Sequence, residues 1–61
     1  MQGPIPPKDT IIQATVEGEF GYWRIVQDLG GNGYIQVLLQ KTDAEGTERG
    51  GFFTAFWDDI T

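Results

Sequence analysis

The sequence predicts an all-β fold, a four-stranded antiparallel meander that is strongly twisted or curled into a small barrel. Three stretches predict it. Tyr22 to Lys41, YWRIVQDLGGNGYIQVLLQK, reads as two strands folded back on the turn Gly30-Gly31-Asn32-Gly33. Glycine and asparagine accept the positive φ that hairpin turns require. Thr10 to Glu17, TIIQATVE, is rich in β-branched residues and alternates apolar with polar. Phe52 to Thr61, FFTAFWDDIT, is short and dense in aromatic residues, which strands favour.

Residues 1–9, MQGPIPPKD, form an extended arm ahead of a single small β unit spanning 10–61. Pro4, Pro6 and Pro7 lack the backbone donor and fix φ, so a polyproline-like course is expected. In the first strand, Ile12, Ala14 and Val16 take the dry face and Gln13, Thr15 and Glu17 the wet one. A turn over Gly18-Glu19-Phe20-Gly21 would then pair Val16 with Trp23 and Ala14 with Ile25.

The register of the central hairpin is testable, because opposed residues share a face. A three-residue loop, Gly31 to Gly33, opposes Leu29 to Ile35, Ile25 to Leu39 and Gln27 to Val37. It also opposes Asp28 to Gln36, Val26 to Leu38 and Arg24 to Gln40. A two-residue Asn32-Gly33 loop opposes Leu29 to Gln36 and Asp28 to Val37, matching apolar to polar, so the three-residue loop is favoured, with Gly33 left-handed. Trp23, Ile25, Leu29, Ile35, Val37 and Leu39 then form the core face. Tyr22, Val26, Tyr34 and Leu38 lie on the other, among Arg24, Asp28, Gln36 and Gln40.

Lys41 to Gly51, KTDAEGTERGG, reads as a polar connection with Asp43-Ala44-Glu45-Gly46 as its turn. The last segment fits two patterns. As a strand it puts Phe53, Ala55 and Trp57 on one face and Phe52, Thr54 and Phe56 on the other. As a short helix it stacks Phe52, Phe53, Phe56, Trp57 and Ile60 into a stripe. The strand is favoured because it completes the meander and isolated short helices need tertiary support.

Composition narrows the function classes. The 61 residues contain no cysteine, histidine or serine. Disulfides and thiolate or imidazole metal sites are excluded, and the common nucleophiles are missing. Asp58 and Asp59, as strand neighbours, would point to opposite faces, so they make a poor acid–base pair. No enzyme activity and no cofactor are expected. The glycine turn lacks the lysine and helix that a phosphate loop needs. The net charge is −5, and the cations Lys8, Arg24, Lys41 and Arg49 are scattered. Direct nucleic-acid binding is thus disfavoured. No apolar run is long enough to span a bilayer and no secretory leader is recognisable, so no membrane association is expected and the cytoplasm is the default location.

The most informative set is aromatic. Tyr22, Arg24, Tyr34, Leu38, Phe52 and Phe56 would share the second face, and these residue types are enriched in interface cores. The expected function is a non-catalytic protein-binding or self-assembly module, with a protein partner or a homo-oligomer as its complex. The alternative is an acidic inhibitor that copies nucleic-acid charge through Glu17 and Glu19, through Asp43, Glu45 and Glu48, and through Asp58 and Asp59. Ordinary solubility charge of this size is also common.

Overall fold

A computed structural model describes residues 1–31, 33 and 35–61. It contains strands β1 (Ile11–Val16), β2 (Glu19–Asp28), β3 (Gln36–Thr42) and β4 (Glu48–Phe56), then a 3-10 turn at Trp57–Asp59. The sheet order is β1-β2-β3-β4, with every neighbour antiparallel. The expected all-β meander is therefore the fold, and the sheet stays open rather than closing into a barrel.

The first hairpin is tighter than the sequence reading placed it. Its turn is Glu17-Gly18, at φ 53° and 79°, and Glu19 and Phe20 already belong to β2. Two successive residues at positive φ are what a two-residue hairpin loop needs to match strand twist. Consequently Ile12 opposes Trp23, Ala14 opposes Gly21 and Val16 opposes Glu19, not the expected Val16–Trp23 and Ala14–Ile25. The slip is an even number of residues, so Ala14 and Val16 still face the core.

The central hairpin combines the two registers that the sequence sets against each other. Arg24 opposes Gln40 and Ile25 opposes Leu39, as the three-residue loop requires. Beyond a bulge at Val26, Gln27 opposes Leu38 and Asp28 opposes Val37, as the two-residue loop requires. One extra residue on β2 absorbs the difference. Leu29 continues the second register by donating its N–H to Gln36 O at 2.9 Å. Leu29 and Ile35, expected in the core, are pushed past the paired strands and stand 40% and 51% exposed. Gly33 has φ 82°, the left-handed conformation expected of it; Asn32, the middle of the expected loop, lies outside the described residues.

β4 begins earlier than expected, at Glu48, so Glu48 to Gly51 are strand rather than connection. Its register with β3 shifts between Gln40 and Thr42, where Glu48 opposes Thr42 but Phe52 opposes Gln40. The Arg49-Gly50-Gly51 segment takes up this slack, and a side chain on Gly50 would crowd Lys41 Cβ at 3.2 Å. The favoured strand reading holds through Phe56, after which a single 3-10 turn replaces it.

The core lies on one side of the sheet: Ala14, Val16, Trp23, Ile25, Val37, Leu39, Trp57 and Ile60 are all buried. Trp23 is its centre. Its ring meets Phe53 edge-on at 5.2 Å, and its Nε1–H donates to Ala14 O at 3.1 Å. The ends of the chain form the second layer. Met1 and Ile5 pack on the core, Trp57 Nε1–H donates to Gly3 O at 2.9 Å, and the Met1 amino group donates to Trp57 O and Ile60 O. A 61-residue chain has little interior to bury; here the proline arm and the C-terminal turn enlarge it by roofing one side of the sheet.

Candidate binding surface

The opposite side of the sheet is built by the alternate residues of each strand. Register places Gln13, Tyr22, Thr42 and Glu48 in one row across it, and Ile11, Arg24, Gln40 and Phe52 in the next. Leu38 with Thr54, then Gln36 with Phe56, follow toward the far end. Of the six expected aromatic-face residues, Tyr22, Arg24, Leu38, Phe52 and Phe56 thus share this side. Tyr34 lies outside the described residues.

The face is not uniformly open. The β3–β4 loop folds over one end of it. Gly46, at φ 87°, lies so close to Ile11 that an added Cβ would touch Ile11 Cδ1 at 3.4 Å. Arg24 Nη2 donates to Gly46 O. Gln40 and Thr42 are buried on this side, and Tyr22, Arg24 and Leu38 are half-buried. What remains open runs along β4, where Phe52 is 63% exposed and Phe56 42%. Phe20, opposite Thr15 at the β1 end of this same side, is 65% exposed as well.

The loop is held by Asp43. One carboxylate oxygen accepts the N–H groups of Glu45 at 3.0 Å and Thr47 at 2.9 Å. The other accepts Arg49 Nε and Nη2 at 3.3 and 3.0 Å. The Thr47 N–H, seconded by the Arg49 guanidinium, holds the carboxyl below its ordinary value of 3.8. Asp43 thus braces the loop. Glu45 and Glu48 are exposed near it, whereas Asp58 and Asp59 are exposed on the 3-10 turn. The Asp43, Glu45 and Glu48 group and the Asp58 and Asp59 group thus sit on separate elements, as two of the three acidic groups read from the sequence.

The cations are largely committed as well. Lys41 Nζ pairs with Glu19 at 3.2 Å and sits 4.6 Å from the Trp23 ring centre. Gly21 makes room for it, since a Cβ there would lie 2.0 Å from Nζ. Arg49 is held by Asp43 and Arg24 by Gly46 O.

A feature that the sequence reading missed is a half-open groove of about 780 Å³ between the end of β1 and the end of β4. Thr15, Glu17 and Gly18 wall one side, Thr54, Ala55 and Phe56 the other, and Asp59 and Thr61 also line it. Thr61 N–H donates to Thr15 O at 3.2 Å, tying the C-terminal segment to β1. A smaller hollow of about 290 Å³, lined by Gly33, Ile35, Phe56, Asp58 and Asp59, adjoins it. The Glu17-Gly18 dipeptide was the available signal: read as a two-residue turn, it ends β1 beside this groove.

Among the described residues no group of acidic side chains is arranged to hold a metal ion, and no helix is long and apolar enough to cross a membrane. No protein family, curated protein or solved structure matches this chain.

Proposed function

We propose that this chain is a non-catalytic protein-binding module, engaging a partner or a second copy through the outer face of the sheet along β4. The observation that carries this reading is the pair Phe52 and Phe56, 63% and 42% exposed on one side of an edge strand. The opposite side of the same sheet has its large side chains roofed by the chain's own ends. Exposed phenyl groups on an otherwise economical fold favour a contact surface.

The experiment is solution mass against concentration, at low and high salt, for the unchanged chain and for Phe52→Ser, together with affinity for any partner so identified. The reading expects association that persists in high salt and weakens by roughly tenfold or more in Phe52→Ser, the range of an interface anchor. Association indifferent to Phe52→Ser would overturn it.

A second reading draws on the committed cations. With Arg24, Lys41 and Arg49 engaged internally, the exposed acids dominate the field, which suits mimicry of nucleic-acid phosphates. It expects binding to a basic groove that collapses as salt rises and on charge reversal at Asp58 and Asp59.

A further inference from the structure

We infer that the groove beside β4 takes an extended, cationic segment of a partner protein, added to the sheet as a fifth strand on the outer edge of β4 around Thr54. The inference rests on the protein-binding reading and names the mode and the chemistry of the partner.

The edge comes first. β4 is last in the sheet order. Trp57 donates its N–H to Ile35 O at 2.8 Å, and antiparallel pairing alternates along a strand. Ala55 and Phe53, opposite Val37 and Leu39, therefore direct their backbone groups to β3, whereas Thr54 and Phe52 direct theirs outward. Edges are ordinarily blunted by lysine, proline, a bulge or a cover. From Phe52 to Phe56 the sequence FFTAF carries no lysine and no proline, and the irregularity in β4 pairing lies before Phe52. The other edge differs: β1 follows Pro6-Pro7, and its Thr15 O is taken by Thr61.

The groove supplies the partner's chemistry. It runs along this edge, and its charged lining residues are Glu17 and Asp59, with Asp58 in the adjoining hollow. No cation is among those lining residues, and Lys41 and Arg49 are held by Glu19 and Asp43. A strand laid here meets Glu17 on the β1 wall and Asp59 on the 3-10 turn that also lines the groove, so alternate lysine or arginine side chains find complementary charge. The residues between them meet Phe56 and Ile35 in the hollow. Strand addition reads this period-two pattern, with main-chain bonds supplying affinity and side chains supplying choice. A second copy is the poorer occupant, because it would bring another net charge of −5 to the same acids.

The test uses the 61-residue chain and three capped peptides: an alternating Lys-Val octamer, an alternating Glu-Val octamer, and the Lys-Val octamer N-methylated at alternate residues. Calorimetry gives affinity, and amide spectra locate the contact. The inference expects the Lys-Val peptide to bind, to shift the Thr54 amide and to protect it from exchange. The Glu-Val and N-methylated peptides should bind at least roughly tenfold more weakly, as should Lys-Val with the Glu17→Lys/Asp59→Lys variant. If that variant does not fold, the three peptides on the unchanged chain still decide. Equal affinity for the plain and N-methylated peptides, or no binding by the Lys-Val peptide, overturns the edge inference. If Phe52→Ser also leaves all association unchanged, the protein-binding reading falls with it; if Phe52→Ser alone weakens association, that reading survives without the edge.

Discussion

Asp43 concentrates more hydrogen bonds on one side chain than any other loop residue described, accepting from two backbone amides and from Nε and Nη2 of Arg49. Its carboxyl titrates below 3.8 in the folded chain, first because of the Thr47 N–H. A group with a lowered folded value stabilises above its unfolded value and loses that effect as pH falls through the folded one. The β3–β4 loop should therefore hold from neutral pH down to about the ordinary carboxylate range and loosen below it. Amide exchange at Glu45 and Thr47 measured down the acid arm checks this; Asp43→Asn should raise exchange at neutral pH and flatten the acid dependence. The turn itself was legible in Asp43-Ala44-Glu45-Gly46, because such residues bond their own backbone. That it lies across the outer face was not, since nothing local links Gly46 to Ile11.

Strands were legible wherever alternation and β-branching agreed; their registers were legible only in part. Opposed-pair matching assumes a continuous ladder, and the bulge at Val26 breaks it. Each half of the hairpin therefore obeys a different rule, and Leu29 and Ile35, correct for the broken register, end up exposed. The first hairpin was misplaced because glutamate is a weak turn signal, although Glu17 takes φ 53° beside Gly18. That position gives a prediction. An L residue other than Asn or Asp in the left-handed region costs about 1–2 kcal/mol. Glu17→Asn should recover roughly half to all of that, and Gly18→Ala should lose about 1–2 kcal/mol. Urea unfolding of both variants checks the signs; a stabilising Gly18→Ala would contradict the turn.

For the whole molecule, one side of a single sheet is closed by two segments from opposite ends of the chain. The aromatic side was legible as a face, with Phe52 and Phe56 together, because period two survives any even slip. Its partial cover and the groove between β1 and β4 were not, since both depend on how the sheet bends. Removing residues 1–5 should strip Met1 and Ile5 from the core and leave Trp57 Nε1 without Gly3 O. The loss should be about 2–4 kcal/mol from burial and one hydrogen bond. Chains of this length commonly hold only roughly 3–9 kcal/mol in total. Tryptophan emission of the truncated chain should shift to the red and its unfolding midpoint should fall; an unchanged midpoint would show that the arm is ornamental.

Met1 and Ile60 lie within a single hydrogen bond of each other beneath the sheet. Topologically the chain is almost a ring, cut at one point. A peptide bridge of a few residues could seal the cut without moving a strand. The sealed ring would have fewer disordered shapes to lose, worth ~4 kcal/mol by the chain-entropy relation for a loop of this size. In such a ring first and last lose their meaning, and the order of strands becomes a circular order whose starting point is free to be chosen.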